Sequence, residues 1–194
     1  MSQVLDYVEA VHPRFERKKA EDFLLTTDIP SKKRVKELSK GMVTQLHLAL
    51  VMAIDVQLLV LDEPTLGLDI IYRKGFYDRL LNDYYDGNRT IIISTHQVEE
   101  IEVLLSHLIF IDRGKIVLNE MMSDLADIYV EVLVDADKIE KAEALNPIST
   151  RRILGKTACT YESVPKGQLE ALGDLHSPSV ADLFVAKMKD IHHG

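Results

Sequence analysis

Residues 58–69, LLVLDEPTLGLD, constrain this chain more than any other stretch, because a short aliphatic run ends abruptly in two carboxylates and a proline. Residues 58–61 are too few for a helix and fit the unbroken apolar run of a parallel strand covered on both faces. Pro64 lacks an N–H and ends the ladder. In open α/β sheets ligands bind beyond the carboxyl ends of the strands, and Asp62 and Glu63 emerge there. Two carboxylates at such an edge suit a cation and a base. Magnesium prefers oxygen ligands and keeps several waters, so Asp62 can hold it against nucleotide phosphates while Glu63 orients and deprotonates an attacking water. The same residues also fit a strand that ends in a solvated acidic turn. The flanking sequence has to decide between the two.

At 194 residues the chain can bury one full core and a small appendage, and 46% hydrophobic with 28% charged residues is ordinary for a globular protein. The formal net charge of -8 argues against a broad nucleic-acid footprint, which needs clustered Lys and Arg against phosphates, so no nucleic-acid partner is expected. Cys159 is the single cysteine; no internal disulfide can form, and it is assigned no chemistry. No apolar run approaches the roughly 18 residues of a membrane span, and no signal peptide is expected. Any membrane role then works through a partner.

Val4, Val8 and Val11 recur at helical spacing, Pro13 stops that helix, and Phe23 and Leu24 sit on a second one beginning near Arg17. An amphipathic helix so soon after Met1 reads as though the chain starts inside a domain. A basic loop, SKKRVK at 31–36, leads to ELSKGM, after which Met42, Leu46, Ala49, Leu50 and Ala53 mark one helix face. Ser39 and Gly41 stand at the start of that helix. Unpaired N–H groups and the positive dipole end let a hydroxyl and a glycine there approach a phosphate, while a plain serine cap is the simpler reading of these residues alone.

Beyond the central strand, Phe76, Leu80 and Tyr84 line a helix that ends at Asp86-Gly87-Asn88, and residues 90–94 form a second strand. It delivers Ser94, Thr95 and His96 to the sheet edge already holding Asp62, where His96 can hydrogen-bond a terminal phosphate or serve as an ordinary structural histidine. Val98, Ile101, Leu104 and Leu105 predict a further helix, and residues 108–111 and 115–118 a hairpin about an Asp-Arg-Gly turn. The alternation of strand and helix predicts a doubly wound α/β core. From about Asp127 the texture changes: 129–134 reads as a strand, 138–145 as a charged helix and 149–161 as a hairpin. LGKT at 154–157 fails as a phosphate-binding loop, since GxxxxGK[ST] needs a glycine where Thr150 stands, and Gly155-Lys156 is expected as the centre of a type II′ turn. Met188, Lys189, His192 and His193 close a last helix, with no role assigned to the histidines.

LSKGM, LLVLDEP, GLD and STH, in this order and at these spacings, resemble the signature, Walker B, D-loop and H-loop of ATP-binding-cassette ATPases. The resemblance covers roughly residues 4–118 and implies ATP and Mg2+ as cofactors. It implies that Asp62 coordinates magnesium through water, that Glu63 activates the hydrolytic water and that His96 contacts the γ-phosphate. Ser39, Lys40 and Gly41 of the signature would then face nucleotide held by a second ATPase protomer, with Asp69 linking the two sites and Gln97 and Leu66 lining the contact. The tail at 178–188, PSVADLFVAKM, is similar to a helix that often closes exporter-type ATPases; packing of Val180, Leu183 and Phe184 on the appended unit explains it equally well.

The sequence departs from the family pattern in having no Walker A upstream of the signature and no matching glutamine loop. Walker A supplies the backbone nest and lysine that bind the phosphates, so its loss is expected to remove most ground-state ATP affinity. Lys40 and Met42 replace the usual glycine and glutamine, as in some bacterial exporter-type cassettes, and Lys40 could add positive charge near a phosphate. The expected fold is therefore the C-terminal part of an α/β cassette ATPase domain, a helical subdomain plus a mostly parallel sheet, with a small α+β appendage. Residues 1–56 would be partial helical subdomain, 57–126 the Walker B, D-loop and H-loop core, and 127–194 the extension. The expected function is that of an ATPase subunit of an exporter of the ABC-2-like type. It would act with a membrane-spanning permease subunit at the cytoplasmic face, as a fragment not active alone. A non-catalytic remnant that binds or regulates a partner, and a soluble cassette ATPase outside transport, are the alternatives. A sheet lacking neighbouring strands would expose an edge and apolar faces, so the isolated chain is expected to aggregate or need a partner.

Overall fold

The structure is a computed structural model that describes residues 2–30 and 32–193, with side chains described through Met188. Met1, Ser31 of the basic loop, and the side chains of Lys189, His192 and His193 lie outside the described residues. The chain divides into two units, Met1–Gln97 and Val98–Gly194.

In the first unit, α1 (Ser2–Val11) stops ahead of Pro13 and α2 (Arg17–Leu24) follows. Their shared core is Leu5, Phe15, Ala20 and Ala53, with Val8, Leu24, Leu50 and Ile54 packed at its margin. The apolar stripe of α1 is thus centred on Leu5 rather than on the valines: Val4 and Val8 are half-buried and Val11 is exposed. Helix α3 (Lys40–Met52) buries Leu46 and Ala49 on the expected face, and Gln45, Leu48 and Met52 as well. It has neighbours on more than one side, so its buried surface is wider than a single stripe.

Strand β1 (Leu58–Asp62) runs parallel to β2 (Thr90–Ser94) in a register that pairs Leu58 with Thr90 and Asp62 with Ser94. The crossover between them is α4 (Ile70–Arg79), extended by a π-helical turn over Leu80–Tyr84, and Phe76, Leu80 and Tyr84 are all buried on it. The expectation that β1 is covered on both faces is corrected here. Leu59 and Leu61 are 6% and 7% exposed, but Leu58 and Val60 are 54% and 62% exposed, and Ile92 on β2 is 51% exposed. Successive side chains of a strand point to opposite faces, and among the described residues only one face of this pair is packed.

In the second unit the helix expected from Val98 is replaced by two 3-10 turns, Val98–Glu100 and Glu102–Leu104. Their backbone bonds, Ile101 to Val98, Leu104 to Ile101 and Leu105 to Glu102, all span three residues. Only Ile101 is buried and Val103 is 89% exposed, so no continuous apolar face draws the segment into an α-helix. Strands β3 (His107–Asp112) and β4 (Lys115–Met121) form the expected hairpin, turning through Arg113 and Gly114 at φ 46° and 77°, the positive pair of a type I′ turn.

After α5 (Met122–Ile128) come β5 (Tyr129–Val134), α6 (Ile139–Glu143), β6 (Ser149–Ile153), β7 (Lys156–Glu162), α7 (Lys166–Leu169) and β8 (Gly173–His176). They make one antiparallel sheet in the order β6-β7-β5-β8, a split βαβ arrangement. Val130, Val132 and Val134 pack with Cys159, Tyr161 and Leu169, and the Tyr161 hydroxyl donates to the Ala142 carbonyl at 2.9 Å. The β6–β7 turn differs from the type II′ turn expected at Gly155-Lys156. Ile153 pairs with Lys156, so the central residues are Leu154 and Gly155 at φ 47° and 87°, a type I′ turn. The I′ twist matches the right-handed twist of the strands, and Leu154 bears the strain. The final helix, α8 (Val180–His193), packs Val180 and Leu183 against Leu108, Phe110, Leu118 and Tyr129. Phe184 meets Phe110 edge-on at a ring separation of 5.1 Å. No helix among the described residues is long and apolar enough to cross a membrane.

Candidate functional site

Parallel, in-register pairing puts the carboxyl ends of β1 and β2 side by side, and the Ser94 hydroxyl donates directly to Asp62 Oδ1. One residue later, the Glu63 N–H donates to the Ser94 carbonyl at 2.9 Å, so the two exits stay joined past the ladder. Glu63 lies at φ 44°, in the left-handed region that a side chain with a Cβ seldom adopts. Strain of this kind persists only where surrounding contacts enforce it, and it concentrates at functional sites.

Those contacts converge on the Glu63 carboxylate. Its Oε2 accepts from the Thr95 hydroxyl at 3.2 Å, while Oε1 accepts from the His96 backbone N–H at 3.0 Å and lies 2.7 Å from His96 Nδ1. The hydrogen bond from the His96 ring, opposed by desolvation and reinforced by the His96 N–H, holds the Glu63 carboxyl below the usual carboxylate range. Glu63 is therefore ionised at neutral pH. An ionised carboxylate only accepts, so Nδ1 of His96 carries the proton in this pair. Side-chain exposures of 67% for His96 and 31% for Glu63 leave both within reach of a third reactant.

Just after Glu63, Asp69 caps α4, its Oδ1 accepting from Ile71 N at 2.9 Å and Tyr72 N at 3.1 Å. Gln97 is tied at two points: its N–H donates to Thr95 Oγ1 at 3.0 Å, and its side-chain oxygen accepts from Arg73 Nη1 at 2.8 Å. The Arg73 Nε also donates to the Leu68 carbonyl at 2.9 Å. Arg73 escaped the sequence reading. Its one signal there is a cation in the first turn of a helix, where the dipole disfavours it. Ser94 and Thr95 were visible only as the residues that carry His96 off the strand.

Ser39, Lys40 and Gly41 form a second group. Ser39 is an N-cap, its Oγ accepting from Met42 N at 3.2 Å, and Lys40 is exposed at the first helical position. A Cβ on Gly41 would lie 3.1 Å from the Gly67 carbonyl, and the Thr44 hydroxyl reaches the Leu66 carbonyl at 3.5 Å. The start of α3 thus packs against residues 66–67. Among the described residues no hydrogen bond joins Ser39, Lys40 or Gly41 to Asp62, Glu63 or His96.

The donor set at the strand ends bears on a metal. No group of three or more His, Cys, Asp or Glu residues among the described ones forms a cage for an ion. A single carboxylate, oriented by a hydroxyl, instead fits a largely hydrated magnesium that shares its coordination with phosphate oxygens. Asp62 is the residue in that position.

No family model matches the chain. Over 138 residues it is 38% identical to the Nod factor export ATP-binding protein I of Rhizobium etli, covering 69% of this chain and 43% of that protein. The Nod factor export ATP-binding protein I of Cupriavidus metallidurans is 33% identical over 164 residues, covering 78% and 54% respectively. The ABC transporter ATP-binding protein YtrB of Bacillus subtilis is 27% identical over 135 residues, covering 70% of this chain and 46% of its own length. The chain therefore spans about half the length of the curated relatives it matches. Its fold matches a crystal structure described as a cobalt transport ATP-binding protein, cbiO-2, with a TM-score of 0.50 at 16% identity, over 89% of this chain and 60% of that one. With four ordered motifs, these relatives and this fold in agreement, the chain belongs to the ATP-binding-cassette family of transporter ATP-binding proteins.

Proposed function

We propose that this chain supplies the hydrolytic half-site of an ATP-binding-cassette ATPase that couples ATP binding and hydrolysis to export. The observation that carries the reading is the convergence of Thr95 Oγ1, His96 N and His96 Nδ1 on an ionised Glu63 held in a left-handed conformation. A carboxylate held by three donor atoms of two residues is pre-positioned to orient an attacking water and receive its proton. His96 keeps the Glu63 rotamer through Nδ1 and stands exposed beside it, where its Nε2, when the ring is the doubly protonated imidazolium, can donate to a γ-phosphate oxygen. Asp62, steadied by Ser94, is the residue that would hold magnesium, and that ion when bound supplies charge neutralisation on the phosphates.

In this reading Ser39, Lys40 and Gly41 present the positive end of α3 to nucleotide on a second ATPase protomer. Asp69 and Gln97 lie at the contact between the protomers. The division of labour follows residues 1–56, 57–126 and 127–194, and a membrane-spanning permease subunit at the cytoplasmic face receives the stroke. The export names of the Rhizobium and Cupriavidus relatives support transport outward.

The test is to mix the chain with a complete cassette partner and follow ATP hydrolysis. Turnover that appears on mixing and is abolished by Glu63→Gln is the expected result. Turnover indifferent to Glu63→Gln would mean that the chain serves only as a binding or regulatory element.

A further inference from the structure

Arg73 reaches out of α4 to two loops at once. Its Nε donates to the Leu68 carbonyl at 2.9 Å, and its Nη1 donates to Gln97 Oε1 at 2.8 Å. Leu68 ends the loop that follows Glu63, and Gln97 follows His96, so a single planar guanidinium spans the continuations of both strands that carry the site. The series goes on inward: the Gln97 N–H donates to Thr95 Oγ1 at 3.0 Å, and Thr95 Oγ1 donates to Glu63 Oε2 at 3.2 Å. A chain of hydrogen bonds therefore runs from the Leu68 carbonyl through Arg73, Gln97 and Thr95 to the carboxylate.

Position and chemistry both argue that this is more than a surface pairing. Arg73 is the fourth residue of α4, where a cation opposes the helix dipole. Its Nε and Nη1 nevertheless reach two acceptors, a main-chain carbonyl and a side-chain amide oxygen. The guanidinium offers its donors in a rigid fork, which suits simultaneous capture of two acceptors on separate loops, whereas a lysine ammonium is a single point on a flexible stem. The links run from a charged guanidinium through an amide and a hydroxyl to an ionised carboxylate, and successive links share a residue, so loss of one loosens the next.

We propose that Arg73 is a positioning residue that sets the Glu63 carboxylate through Gln97 and Thr95. This rests on the reading of Glu63 as the hydrolytic carboxylate. Arg73 itself touches neither nucleotide nor water in this role; it determines how often Glu63 occupies the productive rotamer. Its removal should therefore lower turnover without weakening substrate capture, and removal of Gln97 should do the same through the same path.

The experiment uses the full chain with its complete cassette partner and compares Arg73→Met, Gln97→Met, the double variant and Arg73→Lys. Methionine keeps an unbranched stem and removes the donors of Arg73 or the acceptor of Gln97. Each single variant should lower kcat about ten-fold with KM for ATP changed less than about two-fold, since small displacements of a positioned group act on the chemical step. The double variant should be no slower than either single one, and Arg73→Lys should restore only part of the rate, because one ammonium cannot serve both acceptors. Multiplying losses in the double variant, or a rise in KM at constant kcat, would overturn the proposal.

Amide hydrogen exchange on the chain without nucleotide supplies a readout independent of turnover. The amides of His96 and Gln97 should exchange several-fold faster in Arg73→Met, with those of β5 unchanged. Unchanged protection at 96–97 would overturn the proposal even if the hydrolysis assay failed. Loss of Glu63-dependent hydrolysis in the unmodified protein alone would instead count against the catalytic reading.

Discussion

Leu154→Asn tests the turn geometry of the second unit with a sign that two accounts predict oppositely. Leu154 is fully exposed, at 102% of its reference surface, and holds φ 47° as the first central residue of the β6–β7 turn. Trimming its side chain gives up no burial, so the hydrophobic contribution to the change is near zero. The left-handed conformation costs an L-residue with a bulky side chain about 1 kcal/mol, and asparagine is one of the few side chains that adopt it readily. Leu154→Asn should therefore stabilise the unit by about 1 kcal/mol. With a urea slope of about 2 kcal/mol/M, the midpoint rises by about 0.5 M at unchanged slope. Leu154→Gly should gain less, because glycine adds about 0.5–1 kcal/mol of unfolded-state entropy. The chain has no tryptophan, so the transition is followed by near-UV circular dichroism of Tyr129 and Tyr161, both buried in this unit. Were Gly155-Lys156 the central pair, Leu154 would end a strand, and asparagine there would lower stability by up to about 1 kcal/mol. A lowered or unchanged midpoint would refute the argument.

Gly173→Ala would bring a Cβ within 2.3 Å of the Leu133 carbonyl, a backbone atom that cannot rotate away. Stability should fall by about 2–3 kcal/mol, with hydrogen exchange showing lost protection along β8 and little change along β6. The Glu63 carboxyl is held below the usual range, chiefly by the His96 side chain. It thus adds stability above the unfolded carboxylate pKa that disappears as pH falls through the folded value. The stability gap between the unmodified chain and Glu63→Gln should accordingly shrink on acidification through the carboxylate range; a gap independent of pH would contradict the pairing. Lys40→Ala should reduce hydrolysis by the assembled ATPase more at low nucleotide than at saturation, and equal losses at all concentrations would remove any phosphate role for that side chain.

Strands β1, β2 and β5 could be read from the sequence because β-branched and aliphatic runs there are bounded by turn residues and by Pro64. Strand β8 could not. Its four residues, GDLH, hold a single aliphatic side chain, and the strand exists because β5 offers an edge to pair with. The run LLVL of β1 misled on burial, since an unbroken apolar run implies two covered faces only where covering elements are present. The Val98–Leu105 helix failed for a related reason: helical spacing of apolar residues is necessary for an amphipathic helix but does not provide the surface on which it packs.

At the site, the meeting of Glu63 with His96 follows from two parallel strands that end at one edge, and motif order makes it legible. The left-handed turn at Glu63, the Asp69 cap and the Arg73 bridge depend on backbone directions after the strands end, and no periodicity records those. Arg73 is instructive because its sequence context, a cation in a helix's first turn, looks like a mild defect until the Leu68 carbonyl and Gln97 are brought beside it.

Glu63 and His96 are proposed to act as one unit, so the decisive measurement is a double-mutant cycle in ATP turnover by the chain assembled with a complete cassette partner. Glu63→Gln, His96→Ala and the double variant are compared by single-turnover rate at saturating nucleotide. Residues that act together lose activity together, so the double variant should be no slower than the slower single variant. Losses that multiply, or a His96→Ala variant with undiminished rate, would contradict the claim that these two side chains form the hydrolytic pair.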